Sequence, residues 1–565
     1  MNNLKSTWIQ YRWFLFIWFS INIIQAFTTN LHYDEAYYWI YSQKLNWGYF
    51  DHPPMVGLLA KIGDFIHHSS LGVRILPKIM GVFVLFFIFH LINDTKNYKE
   101  VIIFTIAFPL ISSHIAGFLI LPDAPLAFFF IMYLFAYHRY LNKDNLTTLF
   151  ILCLTVSLMI YSKYHAILII IFTILSNIKL LKRKSFWLAG IICLILLLPH
   201  MLWQYNNNFP SLLYHLSDRA KGFEIFNFIH HIYSQILLAG PFSGILIIWL
   251  AFKFHPQNQF EKTLKYITFG FYLFFLIYCF KGRVEAHWTS ISTIALIIIS
   301  YKELQNHKKI KGYIFYLLIP SIILLFIGRI ILATDYLDKK IPFKSDFINM
   351  NEWAYELDSI SEGCPILFTN KYHNLSIYSF AKNKWIPGSP NYDSRYSQID
   401  LNKIDSIYNG KKVFALNLRN EKTWTSKNGS KHRGSFIPNY YSYTGLTINN
   451  VHLFNSNDST FLSFQLTNPK KRSFLLKKDQ YQKITLILSI NNSQRQYYDL
   501  HTLSKSQEIT AYDKIPFKIF IPKEHIHSDL NNTLFEIKNP LIDIGLASNN
   551  QRIFRVRKKR YPIND

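Results

Sequence analysis

Two short clusters near the N-terminus hold the residue types that do acid–base chemistry. They are Asp34-Glu35-Ala36-Tyr37-Tyr38-Trp39 and Gly48-Tyr49-Phe50-Asp51-His52-Pro53-Pro54-Met55. Both follow directly on the first apolar run, where charge is expensive and seldom kept without a task. A carboxylate at that spot can take a proton from an attacking hydroxyl or amine. The blander account of Asp34-Glu35 is the first turn of a helix, where acids satisfy free N–H groups and suit the macrodipole.

Three further clusters bear on the choice. Leu121-Pro122-Asp123-Ala124-Pro125 sets one carboxylate at the mouth of a hairpin between apolar runs, although a helix cap with proline in the first turn reads the same way. Tyr161-Ser162-Lys163-Tyr164-His165 puts a cation and an imidazole into almost no loop at all, and Lys281-Gly282-Arg283-Val284-Glu285-Ala286-His287-Trp288 is as dense. Facing lipid, each charge would cost several kcal/mol, so these groups belong in a shared cavity. Cations there suit a phosphate, and carboxylates suit a nucleophile or a metal. Acid, base and phosphate clamp in one membrane cleft point to group transfer from a lipid phosphate.

The elements that must hold these groups are read from hydropathy and charge. The 565 residues are 50% hydrophobic and 17% charged, with mean hydropathy +0.11, too apolar for a wholly soluble chain. Apolar runs recur through about residue 335, each long enough to cross a roughly 30 Å hydrocarbon layer. They predict about eleven spans, near 13–30, 73–92, 101–119, 122–138, 146–161, 165–181, 186–202, 236–252, 266–280, 288–303 and 313–333. Alternate loops are uniformly basic, for example Lys179, Lys182, Arg183 and Lys184, then Lys302, Lys308, Lys309 and Lys311. The positive-inside rule makes that set cytoplasmic. The N-terminus is then cytoplasmic, and the chemistry-bearing clusters converge on the opposite face with the C-terminal part. The basic N-terminal lead lacks a small-residue cleavage site, so the first run is read as a retained span.

Residues 34–45 carry helical spacing of Tyr37, Tyr38, Ile40, Tyr41 and Leu45, which predicts an interfacial helix lying along the bilayer until Pro53-Pro54 redirects the chain. Beyond the spans, Asn351 to Ile360 reads as a helix, and Cys364 to Thr369 and Lys412 to Asn417 as strands of a small α/β segment. Strand-like runs follow at Val451–Asn455, Thr460–Gln465, Ile484–Ser489, Phe517–Ile521, Leu534–Ile537 and Ile553–Val556, a β-sandwich pattern. The expected domains are 1–334 in the membrane, 335–440 as an α/β segment and 441–565 as a β-rich domain. Four scattered cysteines imply neither a disulfide framework nor a metal knuckle. The net charge of +26 lies partly in the basic loops and partly in the C-terminal domain, including Arg555, Arg557, Lys558, Lys559 and Arg560. Anionic lipid or acidic glycan suits it better than nucleic acid, for which no binding fold is recognisable.

The first-loop pattern resembles the GT-C integral-membrane glycosyltransferases, nearest the bacterial protein O-mannosyltransferase and aminoarabinose transferase group (glycosyltransferase family 39-like). Pro122-Asp123-Ala124-Pro125, Ser162-Lys163-Tyr164 and Glu285-Ala286-His287-Trp288 extend it over roughly residues 10–335. A weaker echo continues at Phe368-Thr369-Asn370-Lys371-Tyr372 and Arg395-Tyr396-Ser397-Gln398-Ile399-Asp400. The resemblance implies a polytopic α-helical enzyme of a bacterial cell membrane. It would move a sugar, with inversion, from a polyprenyl-phosphate donor to an extracytoplasmic lipid, glycan or protein. It makes Asp34 the candidate general base with Glu35 supporting it, and Asp123 a second-loop acid near acceptor or sugar. Asp51, His52, Lys163, His165, Arg283, Glu285 and His287 complete the expected substrate site. Aminoarabinose transferases carry a lysine just before the paired prolines; here His52 stands there, and Lys163 and Arg283 are the substitutes for a phosphate clamp. Divalent metal use differs across the superfamily, and no ligand spacing decides it. A flippase for lipid-linked sugars and a glycan polymerase or ligase are the competing readings.

Overall fold

The computed structural model describes residues 4–215, 222–334, 350–368, 372–388, 397–402, 405–416, 422–425, 431–442 and a set of strands and turns between 447 and 538. It divides into two compact units, Met1–Ile348 and Asn349–Asp565.

The first unit is helical: α1 (Leu4–Thr28), α2 (Tyr33–Gln43), α3 (Met55–Ile66), α4 (Ser70–Ile92), α5 (Tyr98–Ile106), α6 (Asp123–Asn142), α7 (Leu146–Ser162), α8 (Ala166–Ser176), α9 (Lys184–Asn206), α10 (Pro210–Leu213), α11 (Ile225–Ala239), α12 (Gly244–Lys253), α13 (Gln259–Tyr278), α14 (Ser290–Leu304) and α15 (Lys308–Ala333). Its surface is apolar, unlike that of a protein in water. On α1, Trp13, Phe16, Ile24 and Phe27 are exposed while Thr7, Asn22 and Gln25 are buried, the arrangement a lipid solvent demands. Apolar side chains gain nothing by leaving lipid, whereas polar ones must find partners inside.

Helices cover all eleven predicted segments, with breaks that hydropathy averaged away. Three helices, α4, α9 and α15, are singly long and apolar enough to cross a membrane, or up to five spans if each of two bent pairs counts as one. The segment at 101–119 ends as a helix at Ile106 and closes with a π turn at Ile111–Ile115. The one at 236–252 straddles a break, with α11 and α12 turned by 86°, where Gly240 takes φ +147 that a side chain would resist. The helix predicted at 34–45 exists as α2, turned 86° from α1, and it is packed inside the protein. Every residue from Glu35 to Ser42 is buried in protein. Its aromatics pack on one another and on the next loop, with Tyr41 stacked on Tyr49 at 4.1 Å.

In the second unit, α16 (Met350–Ile360) and α17 (Tyr372–Ala381) are tied by Tyr378 donating to Asp358 at 2.5 Å. Strand β1 (Ile366–Leu367) pairs in parallel with β2 (Val413–Leu416) after a crossover through α17 and α18 (Gln398–Asn402), as parallel pairing requires. β3 (Lys422–Thr425) and β4 (Lys431–Ile437) complete that sheet in the order β1-β2-β4-β3. β5 (Thr447–Ser456), β6 (Ser459–Thr467) and β11 (Lys514–Ile521) form a second sheet; β8 (Thr485–Ile490), β9 (Gln494–Asp499) and β12 (Leu534–Lys538) form a third. β7 (Phe474–Leu475) pairs with β10 (Glu508–Ile509). The predicted strand at Ile553–Val556, the basic run Arg555–Arg560, and Thr369-Asn370-Lys371 and Arg395-Tyr396 lie outside the described residues.

Candidate functional site

The site is built on the entry to α2. His32 is the N-cap; its ring accepts from the Asp34 N–H at 3.2 Å, and its own N–H donates to Glu35 Oε2 at 2.9 Å. This is a capping box with histidine in the cap position. The two neighbouring acids thereby take different positions. Glu35 is fully buried, whereas the Asp34 side chain keeps 31% of its surface exposed, with His32 Nδ1 3.8 Å away.

Glu35 is saturated. Arg74 Nε donates to Oε1 at 2.8 Å and Nη2 to Oε2 at 2.6 Å, while the N–H groups of Ile120 and His32 take the remaining positions. Arg74 spends its other donors on the carbonyls of Ala26, Thr29 and Asn30 at 2.7–2.9 Å, so all five guanidinium N–H bonds are used. Burial alone would raise the Glu35 carboxyl, but the Arg74 charge and the four hydrogen bonds outweigh it and hold it below the usual carboxylate range.

The same construction grips the chain leading to Asp123. Trp18 of α1 donates to Ala116 O at 2.8 Å, and Lys78 of α4 to Gly117 O and Leu119 O at 2.6 and 2.9 Å. Glu35 of α2 accepts from Ile120, and Arg329 of α15 lies over the Phe118 ring and donates to Ser112 O at 3.4 Å. Each residue from Ala116 to Ile120 is therefore held by a buried side chain of another element. Gly117 has to be glycine for this path. A Cβ there would meet Ser112 O at 2.2 Å and Ser113 O at 2.4 Å. Gly117→Ala is expected to cost about 1–3 kcal/mol through overpacking and to lower turnover by displacing Asp123. Thermal unfolding in detergent alongside an activity assay checks it.

Asp123 opens α6 and is buried, with Lys163 Nζ donating to both oxygens at 2.9 and 3.0 Å and the Ser290 hydroxyl, at the start of α14, donating to Oδ1. His114, His287 and Lys163 act electrostatically on it. His114 and His287 stack at 5.4 Å, and the His165 ring lies 5.4 Å from Trp288. Lys163, Asp123, His215 and His287 act on His165 in turn, and His32 acts on His114. Thus Asp123, Lys163, His165 and His287 gather in one place, with the cap of α2 adjoining them through His32.

Asp51 is buried; the Tyr41 hydroxyl donates to its carboxylate, and its carbonyl lies 3.1 Å from His215 Nε2. His52 Nε2 lies 3.3 Å from the Tyr38 hydroxyl. These contacts build the loop's own scaffold. Arg283 is 65% exposed and paired with Glu285 at 3.3 Å, whereas Lys163 is buried and committed to Asp123, so the two expected clamp cations stand in different surroundings. Sequence reasoning passed over Arg74, Lys78 and Arg329, although ionisable residues inside apolar runs are the available signal. It also missed His114, which carries the same mark inside the run at 101–119, and His32 and Ser290, which do not. Among the described residues, no group of three or more His, Cys, Asp or Glu is arranged to hold a metal ion.

Residues 51–203 match the sequence model of a family described as dolichyl-phosphate-mannose-protein mannosyltransferase. No curated protein matches the chain. Among solved structures, ArnT from Cupriavidus metallidurans in the apo state is 12% identical with TM-score 0.52, covering 76% of this chain and 96% of that one. The same protein bound to undecaprenyl phosphate is 10% identical with TM-score 0.54, covering 75% and 98%. At these identities the likeness is one of fold. The matched segment and the fold are similar to those of multi-pass membrane glycosyltransferases. They support the resemblance drawn from the motifs, a membrane glycosyltransferase of the GT-C superfamily.

Proposed function

We propose that this chain transfers a sugar from a polyprenyl-phosphate donor to a lipid, glycan or protein acceptor on the non-cytoplasmic side of a bacterial membrane, with inversion. The observation that carries the reading is the division of labour at α2. Glu35 is locked into Arg74, while Asp34, one residue away, remains partly exposed next to His32, which acts on His114 of the Asp123 cluster. The undecaprenyl phosphate bound to the ArnT neighbour supports the choice of donor lipid.

In this mechanism the acceptor nucleophile attacks the anomeric carbon from the face opposite the lipid phosphate. Asp34 takes the acceptor's proton as the bond forms. The sugar–oxygen bond breaks and the electron pair leaves with the polyprenyl phosphate, already a fair leaving group that needs little acid assistance. Asp123, paired with Lys163, presents a fixed polar wall to sugar or acceptor, and Glu35 is a positioning residue rather than a proton carrier. The test is incubation of the purified, full-length protein with radiolabelled polyprenyl-phosphate sugars and cell-envelope extract. Label appearing in a new product, with no movement of the labelled lipid across vesicles, is the expected result. Movement without product would make the protein a flippase.

A further inference from the structure

His114 has no task in the mechanism above, yet its placement is specific. It sits in the π turn Ile111–Ile115, a backbone form that is rare and often found at functional sites. Its Nδ1 lies 2.6 Å from Ser113 Oγ, and the Ser113 hydroxyl is directed to Pro109 O at 2.7 Å. A hydroxyl has one hydrogen to give, so the Ser113 oxygen receives and Nδ1 carries the ring proton. Nε2 is left with its lone pair, and no hydrogen bond reaches it among the described residues. The ring lies on His287 at 5.4 Å and 25° and interacts electrostatically with Asp123, Lys163 and His32. Asp123 already receives Lys163 and Ser290, so His114 Nε2 is an acceptor held ready within the cluster.

A lone pair calls for a ligand that brings a hydrogen. The phosphodiester of a lipid-linked sugar has none to give; the sugar's hydroxyls do. We propose that His114 Nε2 accepts a hydrogen bond from a hydroxyl of the donor sugar and holds the ring in place for attack at the anomeric carbon. The assignment rests on the lipid-linked-sugar reading above and names a sugar contact within it.

The experiment compares wild type, His114→Phe and His114→Gln, all full length. Phenylalanine keeps the ring on His287 and removes the acceptor, whereas glutamine returns an amide oxygen near the Nε2 position. Each is assayed with polyprenyl-phosphate mannose and polyprenyl-phosphate aminoarabinose, using whichever the wild type consumes, and each is tested for binding of sugar-free undecaprenyl phosphate. The expected result is a loss of about tenfold in kcat/KM for H114F, the worth of one hydrogen bond, with partial recovery in H114Q and undecaprenyl phosphate affinity unchanged. Unchanged kcat/KM in H114F, or an equal loss of undecaprenyl phosphate binding, overturns the assignment to the sugar. A wild type that neither binds undecaprenyl phosphate nor consumes either donor brings down the underlying reading as well. If H114F does not fold, Ser113→Ala serves instead. It removes the acceptor that fixes the tautomer, so a several-fold lower kcat/KM is expected with binding of undecaprenyl phosphate intact, and wild-type kinetics would sink the idea.

Discussion

Asp34→Asn is expected to abolish detectable transfer while the protein still inserts, purifies and unfolds at the wild-type temperature. Asparagine keeps the size of the side chain and its place in the first turn of α2 but cannot take a proton. Losing a positioned general base costs about 10²–10⁴-fold in rate, enough to push a membrane transferase below the limit of most assays. The fold is expected to survive because the cap of α2 is made elsewhere. His32 accepts from the Asp34 backbone N–H, not its carboxylate, and Glu35 returns the second bond of the capping box. The two readings of Asp34 that sequence left open therefore separate in one experiment. A mere helix-cap or dipole role predicts lower stability with turnover preserved; a base predicts the reverse. Turnover near wild type would remove Asp34 from the chemistry.

The sequence made the class of the first unit legible because apolar runs and loop charge are one-dimensional signals. The convergence of Asp123, Lys163, His165 and His287 was legible for a related reason. Their loops fall on one side when the spans alternate, and the structure gathers them around a single ion pair. Bonding partners were not legible. Lys163 and Arg283 looked alike as cations in short loops, but one is buried on Asp123 and the other is exposed beside Glu285. Nothing local distinguishes them, because the difference is made by α6 arriving beside one turn and not the other. The bends had the same cause. A hydropathy window averages across Gly240, although that backbone turns through 86°. The backbone around His114 was not legible either. A histidine in an apolar run gives no sign that the backbone around it forms a π turn.

Removing Arg74 is expected to do what removing Asp34 does not. Arg74→Met would leave Glu35 buried as an anion with no cation, and would strand the carbonyls of Ala26, Thr29 and Asn30. Breaking a buried pair from one side costs about 3–5 kcal/mol, a large share of a typical stability of about 5–15 kcal/mol. Low yield and a sharply lowered unfolding temperature in detergent are the expected readouts. Acidification should have a related, gentler effect. The folded-state carboxyl of Glu35 is lowered, so its contribution is fully present above the ordinary carboxylate range. It fades as pH falls through the depressed value, where the unfolded chain binds the proton first. The acid limb of the stability curve should accordingly flatten in Glu35→Gln, which has no proton to gain. A cycle of Arg74→Met, Glu35→Gln and the double variant separates pairing from packing. If the pair is the unit, the double variant is less damaged than the sum of the singles; strict additivity would mean that Arg74 serves the three carbonyls alone. The Glu35 carboxylate would then be carried by the N–H groups of Ile120 and His32, and the path from Ala116 to Asp123 would keep its course without the guanidinium.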